Sequence, residues 1–581
     1  MNRVQDGAEP TEAGPVPEVR ASFRERAAEA GRRAVAVRSN LWPALLFLVL
    51  IIALWGRPAL GDWAHLRLAN PGDAESFSFY LSWNVHALAN FVNPFHTPNL
   101  YAPGGQDLGN AISLPTVSML MAPITVLFGG TAAYNTALLL AIWLGTFAVY
   151  LLARELTGSL LGATAAGLLM LVAPYFTGHA QGHLNLMWVF ATPLIGYLAT
   201  RYVKGTLRPG WFVAWTAVLV AFTGGASTEV LVTHTLFIVL GVGVVICFTR
   251  GEVRRRSARS LLWLAAGGAI GAILLIPVVV AALQAGIPTS ALNPPNLYST
   301  ELTNLVVPTR MSEFGETLFE GVREDWLSND SENTAFLGIP LVLLLGAYAF
   351  ATRHRFSGAV AAFGLIGLIL SFGPLLTISG INTIPMPWMV ATFVPGLDHA
   401  LPGRFSLFVF MAACLLVADA VARRVVPLWI TATLVAASFV LMVPNLSSMG
   451  FPTPAPISEF AAEDLDDVVE PGDNVLVLPP GQYGPGMRWM DELDFTFVTP
   501  TGNGGGANAP EAWADPVARA LFDRNFDFDW DDELLPYLER IGVDLVIVDE
   551  GSDEWLEVTE RALGPATEEI DGVHVWDLAS D

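Results

Sequence analysis

The sequence predicts a polytopic all-α membrane protein with a C-terminal extracytoplasmic α/β domain. Three observations predict this fold class. The 581-residue chain is 53% hydrophobic, its mean hydropathy is +0.49, and its charge is unevenly distributed. Residues 450–581 carry 31 acidic residues and five arginines, a net charge of −26, whereas residues 1–449 sum to +2. A nearly neutral apolar body with an acidic tail indicates a membrane domain joined to a solvated domain, and it argues against nucleic acid as a partner.

Eleven apolar runs are long enough to cross a bilayer as helices, which need about 20 predominantly apolar residues. They lie at roughly 41–59, 131–153, 159–175, 187–203, 210–223, 230–249, 260–285, 334–352, 357–379, 405–422 and 427–444. A further run, 113–129, contains Pro115 and Pro123. Because proline interrupts helical hydrogen bonding, we expect this run to be a re-entrant or short helix that does not cross.

Arginine clusters set the expected orientation, because Lys and Arg are enriched in cytoplasmic loops. The clusters lie at Arg20 to Arg38, Arg154, Arg201 to Arg208, Arg250 to Arg259, Arg353 to Arg355 and Arg423 to Arg424. Placing them in the cytoplasm predicts a multi-pass protein of the cell membrane with a cytoplasmic N-terminal arm, residues 1–40, and a transmembrane domain, 41–445. The acidic α/β domain, 450–581, is then extracytoplasmic.

The tail after the last span has the pattern of a small α/β domain. Strand-like runs occur at 474–480, 543–550 and 573–578, and an acidic helix is predicted at 531–541. The glycine-rich segment TPTGNGGGANAP, 499–510, follows a strand, but no well-capped helix opens behind it. We therefore interpret that segment as a flexible loop rather than a phosphate-binding turn.

Ionisable residues gather in the predicted outer loops. The stretch NPGDAESFSFYLSWN, residues 70–84, places Asp73 and Glu75 shortly after the first span. Phe77, Tyr80 and Leu81 follow at helical spacing, so we expect a helix along the membrane interface with its aromatic face in lipid or against the helix bundle. Asp73 is also a good N-cap for that helix, which is its structural interpretation.

The other outer loops contribute further candidates. They are His179, His183 and Asn185 in GHAQGHLN, Glu229 in GGASTEV, Glu301 and Glu332 in the longest loop, and Arg404 in GLDHALPGRF. If the protein has an active site, these positions predict that it lies on the extracytoplasmic side of the membrane.

The chain resembles the GT-C superfamily of integral membrane glycosyltransferases. The resemblance covers about residues 41–350 and rests on the acid pair, on the segment NPFHTPNLYAPGG, and on YLLARELTGSLLGATAAGLLMLVAPYFTGHAQGHLNL. It is stronger to bacterial members with an appended outer domain than to protein mannosyltransferases, lipid A aminoarabinose transferases or the oligosaccharyltransferase catalytic subunit.

The resemblance implies a sugar transfer from a polyprenyl-phosphate carrier to an extracytoplasmic acceptor, namely a cell-envelope glycan, a glycolipid or a protein. In the superfamily an acid of the first outer loop is the catalytic carboxylate, which maps onto Asp73, with Glu75 as a second candidate. Members also use an acid or polar residue in the second outer loop, where this chain has His179, His183 and Asn185 instead of a carboxylate. Because of this departure, the family resemblance is a weaker argument for a metal ion held by carboxylates. A divalent cation is the one possible cofactor.

Several of these residues have alternative interpretations. Arg404 suits a lipid phosphate because guanidinium presents a planar fork, but it also suits an interfacial anchor. His179 and His183 are spaced to share a helical face and could hold zinc, contact a substrate, or lie at the interface without either function. Glu229 is either a helix cap or a functional acid at the membrane boundary.

Two other functions fit a polytopic chain. A lipid or glycan transporter or flippase would need ionisable groups near the middle of the bilayer and matching broken helices, and Asp419 is the only acid deep within a predicted span. A non-catalytic envelope-assembly protein would keep the fold without the chemistry. The C-terminal domain could bind a glycan or an envelope protein, or simply confer solubility.

Overall fold

The computed structural model describes residues 39–69, 72–110, 112–286, 293–316, 319–394, 397, 399–451, 453–454, 465–503 and 510–579. Nearly all of the predicted N-terminal arm and residues 504–509 of the glycine-rich loop lie outside these residues, so both interpretations stay predictions. The chain divides into two compact units, residues 1–46 and 47–581.

The membrane domain consists of helices α1 to α15. Their bounds are α1 (Ser39–Ala59), α2 (Asp73–Ala89), α3 (Pro115–Thr157), α4 (Leu160–Leu171), α5 (Pro174–His179), α6 (Ala191–Val203), α7 (Pro209–Ala226), α8 (Thr228–Phe248), α9 (Gly251–Leu274), α10 (Ile276–Ala285), α11 (Glu320–Arg323), α12 (Gly338–Ala351), α13 (Arg355–Ser371), α14 (Ser406–Arg423) and α15 (Leu428–Leu441).

A helix lies at each predicted span, but α6, at the span predicted for 187–203, has only 13 residues and is not one of the apolar helices of spanning character. Within the described part of the chain, seven are long and apolar enough to cross a membrane: Ser39–Ala59, Pro115–Thr157, Leu160–His179, Pro209–Ala226, Thr228–Phe248, Gly251–Leu274 and Pro402–Arg423. Four shorter apolar helices are α10, α12, α13 and α15. The chain is therefore a multi-pass membrane protein with a helical body, as predicted. The number of crossings stays a prediction.

Helix α3 is broken at Gly129, whose φ of 79° and ψ of 175° are not helical. The break separates the run predicted to be re-entrant from the span that follows it. The second piece begins at Gly130, whose backbone N–H donates to Asp491 Oδ2 at 3.0 Å. A side chain at Gly130 would lie 2.6 Å from Ser82 Oγ. Glycine therefore lets α2 pack closely against this break, and a carboxylate of the C-terminal domain caps the helix.

The C-terminal domain contains a four-stranded sheet, as the tail pattern predicts. Its strands are β7 (Val475–Leu478), β8 (Leu545–Val548), β9 (Glu568–Ile570) and β10 (Val573–Asp577). Six other strands precede them in the chain and pair in twos: β1 (Leu66–Arg67) with β6 (Thr453–Pro454), β2 (His96–Thr97) with β3 (Gln106–Asp107), and β4 (Leu375–Ile378) with β5 (Ile381–Pro385). The order in the sheet is β7-β8-β10-β9. Strands β7 and β8 are parallel, and β10 is antiparallel to both of its neighbours.

Helices complete the C-terminal domain. They are α16 (Leu465–Val468), α17 (Gly486–Glu492), α18 (Pro510–Trp513), α19 (Pro516–Asp523), α20 (Trp530–Ile541) and α21 (Asp553–Leu563). The acidic helix predicted at 531–541 is α20. Its buried residues Trp530, Leu534 and Leu538 recur at helical spacing and pack with the sheet, while its charged residues face solvent.

The C-terminal domain covers helix α2. The ring of Phe495 contacts those of Phe79 and Trp83, with centroids 5.5 and 5.4 Å apart. The Asn99 side chain donates to the backbone carbonyls of Phe495 and Phe497 at 2.9 and 2.7 Å. The expectation that the aromatic face of α2 would contact lipid or the helix bundle is therefore incomplete, because the acidic domain buries part of that face.

Candidate functional site

Asp73 is the first residue of α2 and is half exposed, with 49% of its side-chain area accessible. The N-cap is Gly72, whose φ of 118° favours glycine, and the Asp73 side chain makes no capping hydrogen bond. The interpretation of Asp73 as the N-cap is therefore wrong. Its Oδ2 lies 3.6 Å from Nε2 of His183, beyond hydrogen-bond range but close enough for electrostatic interaction.

Glu75 points away from Asp73. Residues two apart on a helix do not share a face, and Glu75 is only 3% exposed and pairs with the equally buried Arg67. Arg67 belongs to strand β1, which pairs with β6. Of these two acids the structure therefore places only Asp73 at an accessible surface, and Glu75 anchors the first turn of α2.

His179 and His183 lie together at the end of α5 and in the turn behind it. Their rings meet edge to face with centroids 5.6 Å apart, and the ring of Tyr175 contacts His179 at 4.4 Å. His179 is fully buried and His183 is partly exposed. Asn185 is buried in the following 3-10 helix, Leu184–Met187.

Glu332 joins these histidines from the loop before α12. Arg404 Nε donates to Glu332 Oε2 at 2.9 Å, and Arg404 Nη1 lies 2.5 Å from Glu229 Oε2. Arg404 thus lies between two carboxylates and is only 14% exposed. The structure supports neither of the two predicted interpretations of Arg404, the free phosphate ligand and the lipid anchor, because its guanidinium is already paired. Glu229 does not cap α8 with its side chain, since Ser227 does.

We call Asp73, His179, His183, Glu229, Glu332 and Arg404 the outer cluster. Two glycines allow it to assemble. A side chain at Gly178, next to His179, would lie 2.6 Å from Thr334 Cγ2 and would overlap the carbonyl of Ser331. A side chain at Gly403, next to Arg404, would lie 3.2 Å from the Glu332 carbonyl. Small residues at both positions let the loop that carries Glu332 approach α5 and α14.

Glu332 is the site residue whose importance the sequence did not reveal. It was one of several acids in the longest outer loop, and nothing in its immediate neighbours distinguished it from a solvated loop acid. The glycines before His179 and Arg404 were the available signal. Glu301, the other acid of that loop, caps a 3-10 helix, accepts backbone hydrogen bonds from Ser379 and Gly380, and has a structural function.

The outer cluster has donor atoms suitable for a metal ion. One ligand atom from each of His179, His183 and Glu332 lies within 4.8 Å of the others. Both ring nitrogens of His179 and Nδ1 of His183 are buried and lack a hydrogen-bond partner among the described residues, although buried polar atoms are usually paired. Burial lowers the pKa of His183, which favours the neutral imidazole that binds metals. Two imidazoles and a carboxylate are typical ligands of a zinc-like divalent ion.

The outer cluster is rich in negative charge. Asp73, Glu229 and Glu332 supply three carboxylates, and Arg404 supplies one positive charge. With the carboxylates ionised and both imidazoles neutral, the cluster carries a charge of about −2. Burial alone would raise the pKa of Glu332, but the Arg404 guanidinium lowers it to about 2. An anionic ligand therefore needs additional positive charge to bind here.

A family model described as "Domain of unknown function (DUF6311)" matches residues 44–443. The chain belongs to the DUF6311 family. No curated protein matches the DUF6311 chain.

Solved structures share its fold. The oligosaccharyltransferase AglB from Archaeoglobus fulgidus, in complex with an inhibitory peptide and a dolichol-phosphate, matches with a TM-score of 0.52 and 11% identity over 90% of this chain and 71% of AglB. The arabinofuranosyltransferase AftD from Mycobacteria matches with a TM-score of 0.52 and 17% identity over 89% of this chain and 35% of AftD. The resemblance to the GT-C superfamily is thereby confirmed at the level of the fold.

The pairing of Glu332 predicts a specific pH dependence of stability. The folded-state pKa of about 2 lies below the reference value of 4.5, so the stabilisation is complete above the unfolded pKa and is lost as the pH falls through this interval. At pH 6 we expect Glu332→Gln to lower stability by about 3 kcal/mol. This deficit should shrink as the pH is lowered from 5 towards 3. Thermal unfolding of the purified protein in detergent, followed by tryptophan fluorescence, measures both effects.

The exposed residue Glu320, on α11, provides the matched control. Glu320→Gln should unfold like the unmodified chain at every pH. A deficit of Glu332→Gln that stays constant between pH 6 and 3 would contradict the pairing.

Proposed function

We propose that the DUF6311 chain is a membrane glycosyltransferase that moves a sugar from a polyprenyl-phosphate donor to an extracytoplasmic acceptor with inversion at the anomeric carbon. The observation that carries the proposal is the half-exposed Asp73 carboxylate, 3.6 Å from His183 and in the same cluster as the buried His179 and Glu332. The fold shared with AglB and AftD supports it, because both are sugar transferases by name, and the AglB structure contains dolichol-phosphate.

In the proposed reaction Asp73 is the general base. The acceptor hydroxyl attacks the anomeric carbon, its oxygen forms the new glycosidic bond, and its proton passes to the Asp73 carboxylate. The bond between the anomeric carbon and the phosphate oxygen breaks, and polyprenyl phosphate leaves with that electron pair. A phosphate is already a good leaving group, so one carboxylate is sufficient, unlike the two required for glycoside hydrolysis.

The proposed orientation places the outer cluster and the C-terminal domain outside the cell. It follows from the arginine-rich loops, and the structure is compatible with it, since Asp73 and the C-terminal domain lie together. In this orientation the apolar helices would hold the prenyl tail, and the acidic domain would contact the acceptor glycan or protein. The donor is lipid-linked because nucleotide sugars do not occur on that side of the membrane.

The charge of the outer cluster supports a divalent cation as cofactor. A lipid phosphate would be repelled by the three carboxylates, because Arg404 is already paired with Glu229 and Glu332. We propose that His179, His183 and Glu332 hold the ion. When bound, it supplies positive charge where negative charge develops on the departing phosphate. Arg404 is a positioning residue that holds Glu332 towards the histidines, and Asp73 remains free to take the proton.

Replacing Asp73 and Glu75 one at a time should distinguish the proposed base, Asp73, from the structural residue, Glu75. Asp73→Asn should fold with unchanged thermal stability and lose sugar transfer by about 10²–10⁴-fold, because it removes only the proton acceptor. Glu75→Gln leaves the buried Arg67 unpaired and should lower stability by about 3–5 kcal/mol. Transfer from a radiolabelled polyprenyl-phosphate sugar into membrane acceptors, together with unfolding in detergent, measures both. A non-catalytic assembly protein would show no transfer and no difference between Asp73→Asn and the unmodified chain.

Removing the proposed metal ligands should release a bound ion. Elemental analysis of the purified protein should find about one divalent ion per chain, and the His179→Ala/His183→Ala double variant should lack it. His574→Ala, in the C-terminal domain, is the control and should retain the ion. A chelator should abolish transfer, and adding back a divalent metal should restore it. Full transfer in chelator, with an equal metal content in both histidine variants, would contradict the metal proposal.

A further inference from the structure

A second cavity lies between the first outer loop and the C-terminal domain, separate from the outer cluster. We call it the seam pocket. Its volume is about 450 Å³, within the range of small-molecule sites. Its polar lining comes from His96, Tyr101, Asp107, Glu511, Asp515 and Tyr537. Because the hairpin β2–β3 forms one wall and α18 and α20 contribute to the other, the pocket exists only when the C-terminal domain covers the membrane domain.

The Tyr537 hydroxyl group lacks a partner in the seam pocket. Tyr537 is 3% exposed, and its phenol hydroxyl makes no hydrogen bond with any residue in the described part of the chain. Its ring packs in the hydrophobic core of the C-terminal domain, and the guanidinium of Arg540 lies 5.5 Å from the ring centroid. A buried hydroxyl usually finds a partner. This hydroxyl lines an open cavity, so a ligand can supply that partner.

Carboxylates set the chemistry of the ligand. Glu511 is exposed and forms no ion pair with described residues, whereas Asp107 pairs with His96 at 2.9 Å and Asp515 pairs with Arg540. Carboxylates and a phenol hydroxyl can accept or exchange hydrogen bonds with several hydroxyl groups of one ligand. The same carboxylates repel anions. A neutral ligand rich in hydroxyl groups fits this lining.

The two residues of strand β3 lie on opposite sides of the pocket wall. Successive side chains of a strand point to opposite sides, and in β3 Asp107 is exposed to the pocket whereas Gln106 is buried. Gln106 Nε2 donates to the Asn503 carbonyl at 2.7 Å. The hydrogen bond from Gln106 therefore ties the β3 side of the pocket to the C-terminal domain.

We propose that the seam pocket binds a neutral saccharide segment of the acceptor, and so holds the acceptor chain while its end is extended at Asp73. This inference rests on the proposed glycosyl transfer for its purpose, but binding in the pocket does not require turnover. The lining selects against phosphorylated or uronic-acid glycans. It also distinguishes the acceptor site from the donor site, since the donor carries the anionic phosphate.

The test uses the purified full chain in lipid nanodiscs on an array of neutral, anionic and amino-sugar oligosaccharides. We expect binding to at least one neutral oligosaccharide, weakened about tenfold by Glu511→Gln and by Tyr537→Phe, because each removes hydrogen bonds to the ligand. Gly104→Phe should abolish binding, since a side chain there enters open space, with only the Tyr101 carbonyl within 4 Å, at 3.7 Å. Glu554→Gln, on the exposed face of α21, is the matched control and should bind normally.

The Asp73→Asn variant separates this inference from the proposed function. It should bind the same oligosaccharide unchanged while transferring sugar about 10²–10⁴-fold more slowly. Binding limited to anionic or amino-sugar probes, binding to none of the neutral oligosaccharides, or neutral binding that survives in both Glu511→Gln and Gly104→Phe would overturn the seam-pocket proposal. If the unmodified chain binds a neutral oligosaccharide in the pocket but transfers no sugar, the proposed function is wrong and the seam-pocket proposal stands.

Discussion

The buried ion pair between Arg67 and Glu75 is the interaction on which the position of Asp73 depends. Both side chains are 3% exposed, and a buried charge that loses its partner is strongly unfavourable. The pair therefore holds the first turn of α2 against strand β1. Because residues two apart face opposite sides of a helix, fixing Glu75 inwards directs Asp73 outwards to His183. The negative charge of both acids is also favourable at the start of a helix.

The outer cluster then combines a proton acceptor with a buried charged group. Arg404 between Glu229 and Glu332 is fully compensated, so it orients the carboxylates rather than offering free positive charge. Both imidazole nitrogens of His179 and Nδ1 of His183 are buried and have no hydrogen-bond partner among the described residues. This division leaves Asp73 as the only cluster carboxylate without a cation pairing, which suits a group that must accept and release a proton.

The sequence predicts the elements better than the site. The local pattern of apolar residues is enough to predict the helices of the membrane domain and the strands of the tail. The structure contains a helix or a strand at each predicted position. The opposite directions of Asp73 and Glu75 also follow from the helical period, although the sequence interpretation keeps Glu75 as a second candidate for the catalytic carboxylate. The position of Glu332 could not be predicted, because it depends on loop packing through Gly178 and Gly403. The covering of α2 by the C-terminal domain rests on contacts between residues about 400 apart, such as Asn99 with Phe497.

The central claim is that Asp73 faces the sugar while the buried half of the cluster faces the phosphate. A cryo-EM map of the Asp73→Asn variant with a bound polyprenyl-phosphate sugar tests it most directly, since that variant retains the pocket but turns over slowly. The account predicts phosphate density in contact with His179, His183 and Glu332, with the anomeric carbon of the sugar towards residue 73. Phosphate density elsewhere on the outer face, with residue 73 out of reach of the sugar, would contradict it.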